Sequence, residues 1–346
     1  MHSKGAGNDL DDLSRSNPAK NISNAQMISP IRNSILRVVA YFDLFSYPVS
    51  VQEILRFADS RTNIEDLTEE LEILCSLGCL FKIGEYYSLH DDPELIRNRM
   101  FGYERAEKLL IKARRISRFL FWFPFVRAIC ISGSLSKHVA DEKADIDYFI
   151  ITEANKLWLA RTFMHCWKKL SFITGHQHFF CMNYYVDECS LVIEEKNIFT
   201  ATELVKLMPV CGNGALDRFY SRNDWAFKFF PNHSATLSPV LEKDRDSRIK
   251  KAVEWLFRNR LGEKLDNYFM KLTTTRWKEK EDLKKLNYRG ERMGLRTDKH
   301  ISKPNPYFFQ KKILQAFENR YHEWKDKWDA IEKNNLQARF LREMIK

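Results

Sequence analysis

The stretch that most narrows the possible folds lies in the middle of the chain. Residues 126–132 form an apolar run that stops at Gly133-Ser134. Ten residues separate Ser134 from Asp145-Ile-Asp147, which opens a second run, Tyr-Phe-Ile-Ile-Thr152. Runs this short and this apolar predict buried strands. Residues 155–170, rich in Leu, Trp and Phe, carry a helical pattern that Gly175 breaks, and 178–186 and then 191–193 again read as strands. Strands interleaved with helices place the region in the α+β class, a mixed sheet with flanking helices.

Carboxylates at the mouth of a buried strand need a reason. Side chains two residues apart on a strand point to the same side, so Asp145 and Asp147 aim at one point. Two like charges that close repel each other unless a cation lies between them. Mg²⁺ prefers such oxygen ligands and keeps positions open for water and phosphate. Two such ions, roughly 4 Å apart, stabilise both the attacking and the leaving oxygen of a phosphoryl displacement. Gly133 has no Cβ to hold a phosphate away from the backbone. Ser134, at an expected helix start, offers its amide and hydroxyl to the β- and γ-phosphates. Lys137, His138 and Lys143 lie in the loop between the two halves, where they either touch phosphates or are simply solvated.

This segment resembles the signature of the DNA polymerase β-like nucleotidyltransferase superfamily: Gly-Ser, about ten residues, then Asp-x-Asp on the next strand. The resemblance covers roughly residues 95–210. It implies transfer of a nucleoside monophosphate from a nucleoside triphosphate to a hydroxyl-bearing acceptor, with Mg²⁺ as cofactor and release of pyrophosphate. Asp145 and Asp147 match the metal ligands, and Gly133 and Ser134 the phosphate-binding turn. Lys137 is a further candidate for nucleotide contact. The superfamily usually places a third carboxylate on a later strand, as general base. Here that strand reads Phe-Phe-Cys-Met-Asn183-Tyr-Tyr-Val-Asp187. Either Asp187 is the third acid, or Asn183 is a weak ligand, or the site lacks a base. The first is marginally favoured. The alternative function is a regulatory or partner-binding protein with a degenerate core that senses nucleotide. A third reading makes another protein the target of nucleotidylation. The acceptor is not legible in the sequence.

Upstream, residues 1–30 are rich in Ser, Asn, Gly and Asp and predict a flexible tail. Residues 31–92 predict a winged-helix-like domain of three helices and a hairpin. Asn33 is the expected cap of the first helix, Ser50 with Glu53 forms a capping box for the second, and Gly78 ends the third. That third helix carries Glu65, Asp66, Glu69, Glu70 and Glu72. A helix entering a DNA groove is basic, so a packing or interaction role is favoured over DNA contact. Pro93 opens a long basic helix at the start of the catalytic domain, 93–210. Thr200 and Glu203 suggest another capping box. Residues 211–346 predict a mainly helical domain, with 287–305 as a loop.

Composition bounds the partners. The net charge of +10 favours anionic ligands such as nucleoside triphosphates, although the excess is spread along the helices. The seven cysteines are odd in number and sit mostly in apolar runs, as free thiols of a reducing compartment do. Cys75 and Cys79 have no second pair at zinc-ligand spacing. No apolar leader is visible in residues 1–30 and no apolar run reaches membrane length, so a cytoplasmic location without membrane contact is expected. His176 with His178, Arg161 and Lys168 are weaker candidates for ligands, and Gly212-Asn-Gly214 does not complete a dinucleotide turn.

Overall fold

The computed structural model describes residues 29–142, 144–171, 179–212, 214–233, 247–284, 286, 293–306 and 309–344. Nearly all of the expected tail, Lys143, Gly175, His176 and His178 lie outside them.

Helix α1 (Pro30–Asp43) starts on a proline, which fits a first helical turn because its missing N–H has no partner to lose. Asn33 therefore lies inside the helix, where its side chain accepts a hydrogen bond from the Tyr321 hydroxyl at 2.7 Å. Strand β1 (Val49–Ser50) leads directly into α2 (Val51–Phe57). The Ser50 hydroxyl accepts from the Glu53 amide and the Glu53 carboxylate accepts from the Ser50 amide, a complete capping box. Helix α3 (Ile64–Ser76) is capped by Asn63 and terminated at Gly78, whose φ of 70° is left-handed. Strands β2 (Phe81–Ile83) and β3 (Tyr86–Ser88) form a hairpin. With β1 they make a small antiparallel sheet in the order β1-β3-β2.

The second sheet begins after the long α4 (Pro93–Phe121), capped by Asp92. Its elements are β4 (Val126–Ser132), β5 (Asp147–Thr152), α5 (Leu157–Ser171), β6 (Cys181–Asp187), α6 (Ile198–Val205) and β7 (Met208–Gly212). After α7 (Gly214–Arg222), α8 (Trp225–Lys228), α9 (Arg248–Phe257) and α10 (Arg260–Asp282) the chain returns to this sheet as β8 (Met293–Thr297) and β9 (Ile301–Pro306), and α11 (Phe309–Met344) follows. The order is β7-β4-β5-β6-β9-β8, with β5 and β6 parallel and the other neighbours antiparallel. Helix α5 supplies the crossover that a parallel pair needs. The molecule is thus α+β with a mixed sheet.

Both faces of this sheet are covered. Ala128, Cys130, Phe149, Ile151 and Val186 face α6, α7 and α8 and share one apolar cluster with α1 to α3 and with Phe317, Tyr321 and Trp328 of α11. Ile129, Ile131, Tyr148, Ile150 and Tyr185 face α4 and α5. This is why the central strands read as nearly continuous apolar runs.

Three local expectations are revised. Residues 191–193 are irregular rather than strand. Helix α6 is capped by Asn197, whose side chain accepts from the Thr200 amide at 3.0 Å, so Thr200 lies within the helix. Part of the expected 287–305 loop is the β8–β9 hairpin. Two prolines, Pro304 and Pro306, lie in it. Strand β9 pairs with β6 only through Ile301 and Ser302, so both prolines fall where a neighbour is present on one side alone. No helix among the described residues is long and apolar enough to cross a membrane.

Candidate functional site

The β4–β5 register places Ser132 opposite Asp147. The chain therefore turns at Gly133 directly beside the first residue of β5. Gly133 has φ 68°, and a Cβ built on it would lie 2.4 Å from Oδ2 of Asp147. Any side chain there would displace the carboxylate. Asp147 shares its face of β5 with Phe149 and Ile151, two and four residues on, so it points toward the side covered by α6. Asp145 precedes the strand, in an irregular segment that stays tied to β6 through the Cys181 amide, which donates to the Ile146 carbonyl at 3.2 Å.

After Gly133 the chain makes one short 3₁₀ turn, Leu135–Lys137, in place of the expected helix. Ser134 is solvent-exposed at its start. Ser136 and Lys137 both donate to the Gly133 carbonyl, at 2.9 and 3.0 Å, which fixes the turn. Lys137 also forms an ion pair of 2.6 Å with Glu203 on α6. The acid that capping logic assigned to a helix terminus thus stands beside the glycine turn. His138, left-handed at φ 57°, is drawn the other way: its ring meets Glu107 of α4 at 2.8 Å and stacks on Tyr103.

One further cation lies on the Asp147 side of the sheet. Lys303 of β9 lies over the Tyr184 ring at 4.8 Å, and Tyr184 in turn packs edge-on against Phe149. Burial, reinforced by the nearby Arg296, lowers the Lys303 ammonium to about 8. An anion beside it would relieve that cost. Lys206, just after α6, is also lowered, chiefly by burial, but its ammonium lies over the Phe57 ring of α2 at 5.1 Å.

Asp187 does not join this site. Strands β5 and β6 run parallel with Thr152 opposite Asp187 and Asp147 opposite Cys181. Asp187 is therefore at the far end of the sheet, five residues or about 17 Å along the strand from Asp147. There it is fully buried and structural. Its carboxylate accepts from the amides of Asn155 at 2.7 Å and Cys189 at 2.9 Å, and meets the His300 ring at 2.8 Å. Desolvation and the Asp187 charge hold the Cys189 thiol above its ordinary value. The Asn183 backbone is part of β6, and its side chain lies outside the described residues.

The weaker candidates resolve differently. Arg161 is buried on the α4–α5 side, over Trp158, away from Asp147. Gly212 ends β7, where a Cβ would come within 3.3 Å of the Ala128 side chain, a packing role.

Sequence reasoning missed Glu203 and Lys303. Their local patterns signal a cap and a loop, and only the packing of α6 and β9 brings them to one face. Compared with protein-family models, curated proteins and solved structures, the chain matches none.

Proposed function

We propose that this chain carries a nucleotidyltransferase-type core, which moves a nucleoside monophosphate from a nucleoside triphosphate to a hydroxyl acceptor and releases pyrophosphate. The observation that carries the reading is the contact between the Gly133 turn and Asp147. It places a backbone free of Cβ beside a strand-leading carboxylate, the juxtaposition needed to hold a phosphate against a metal ion. Asp145 and Asp147 would hold Mg²⁺, which supplies charge neutralisation at the phosphates. Gly133 and Ser134 would take the phosphate oxygens, with Lys137 exchanging its Glu203 partner for phosphate. Lys303 adds positive charge on the same face.

The N-terminal unit, with its order helix, strand, helix, helix, hairpin, is read as a winged-helix-like module. Its acidic third helix and its shared core with α11 favour packing over DNA binding. One observation favours a second reading. Strand β6, where the general base is expected, brings no carboxylate beside Asp147: Cys181 stands opposite it and Asp187 is at the far end. A core without that base binds nucleotide and signals its presence without turnover.

The test is incubation of the protein with each α-labelled triphosphate, Mg²⁺ and a cell extract. Label transfer that is lost in Asp145→Ala and in Asp147→Ala supports the enzyme. Mg²⁺-dependent nucleotide binding without transfer supports the sensor. Neither binding nor transfer by the folded protein overturns both.

A further inference from the structure

At the opposite end of the sheet from Asp147, three side chains of different chemistry converge. A carboxylate oxygen of Asp187, the sulfur of Cys189 and a ring nitrogen of His300 all lie within 4.8 Å of one another. We propose that they form a zinc site, distinct from the Mg²⁺ position of the proposed reaction.

The donor set decides the metal. Thiolate and imidazole are poor partners for Mg²⁺ or Ca²⁺, which take oxygen ligands, whereas one sulfur, one nitrogen and one carboxylate oxygen suit Zn²⁺. The separation between donors is close to what a tetrahedral ion spans, so short side-chain movements close the site. On binding, the thiol proton leaves to solvent and the sulfur takes the metal in its place, while His300 ligates through Nδ1 by shifting its ring proton to Nε2 and giving up the 2.8 Å hydrogen bond to Asp187. The fourth position falls on the solvent side, because Cys189 is exposed and the His300 side chain is 30% exposed.

The surroundings are built to hold these ligands. The amides of Asn155 and Cys189 orient the Asp187 carboxylate, and the Asn155 side-chain amide donates to the Cys189 sulfur at 3.7 Å. Hydrogen bonds of this kind fix ligand geometry and stabilise a bound thiolate. Asn155 adopts a left-handed φ of 59° to present both groups. Three separate segments meet here: the loop after β5, the end of β6 and the turn between β8 and β9. That turn belongs to a hairpin joined to β6 through two register pairs, Tyr185 with Ser302 and Val186 with Ile301. Zinc would fasten it to the central strands, and with it Lys303.

The full-length protein, reduced and stripped of metal with a chelator, is titrated with Zn²⁺ against a coloured indicator, and with Co²⁺ as a spectroscopic substitute. One ion per chain is expected, with a dissociation constant below ~1 µM, a thiolate-to-cobalt charge-transfer band, and slower alkylation of Cys189 when zinc is bound. Cys189→Ser and His300→Gln each weaken binding at least about tenfold and remove or shift the band. Cys166→Ser, which removes another exposed thiol, leaves both unchanged. Asp147→Ala leaves zinc binding intact whether or not the chain turns over nucleotide. Wild-type affinity weaker than ~100 µM overturns the site. So does tight binding that survives both ligand substitutions, or alkylation of Cys189 that zinc does not slow. The alkylation and affinity readouts use the wild-type protein and hold even where a variant fails to fold.

Discussion

At the scale of single residues, Gly133 is constrained on two counts. Its left-handed backbone alone costs a substituted residue about 1–2 kcal/mol, and a methyl group would also strike the Asp147 carboxylate. Gly133→Ala is expected to lower stability by at least that amount in chemical denaturation and to weaken nucleotide binding more than Ser134→Ala, since Ser134 is exposed and makes no side-chain cap. Equal stability of Gly133→Ala and wild type would refute the close contact. Asp187 shows the opposite case. Its residue type and its place near a strand end suggested a third catalytic acid. Register moves it to the far end of the sheet, where backbone amides and His300 satisfy it.

At the scale of elements, the start of α5 shows how a distant helix serves as a cap. Asp266 of α10 is 1% exposed and accepts from the Leu159 amide at 2.8 Å. Burial raises its carboxyl to about 6, although the α5 amides and Lys156 pull the other way. The sign follows from proton counting. Between the unfolded value near 4 and the folded value, the unfolded chain has lost the proton that the folded chain keeps. Stability from this group therefore falls as pH rises through that window and is fully present only below it. Asp266→Asn keeps a side-chain oxygen for the cap and removes the charge. The variant is expected to gain on wild type as pH climbs from 4 to 7, by on the order of 3 kcal/mol, with the two converging below pH 4. Denaturation midpoints across that range check it, and a constant difference would show that Asp266 does not titrate there. The capping box at Ser50 and Glu53 was legible because both partners lie in one turn of sequence. The cap at Asp266 was not, because its partners are more than a hundred residues away.

For the whole molecule, the N-terminal unit and the large sheet share a core. Tyr41 packs edge-on against Phe317, Phe57 against Phe230, and the Trp328 indole donates to the Cys79 carbonyl at 3.1 Å. Arg32 bridges Glu70 of α3 and Glu332 of α11. Trp328 is 3% exposed, and Trp328→Ala is expected to cost about 3–5 kcal/mol. Because the cluster is continuous, the loss should appear as one earlier unfolding transition of the entire chain rather than separate melting of residues 29–92. Two resolved transitions in calorimetry would show that the N-terminal unit stands alone.

The sequence alone settled what depends on neighbours along the chain. Apolar runs at 126–132 and 147–152 became central strands, Ser50 and Glu53 a cap, Gly78 a helix end, and Gly133 a turn. These follow from steric limits and hydrogen bonding within a few residues. Tertiary structure decided everything set by strand order and register. It joined β8 and β9 to the sheet despite their prolines, and it brought Glu203 and Lys303 to the Asp147 side from segments that carry no local sign of it. It also sent Asp187 to the far end with Cys189 and His300. A parallel register fixes which ends of two strands coincide, and that alignment comes from how the crossover helix packs, a choice made by the core as a whole.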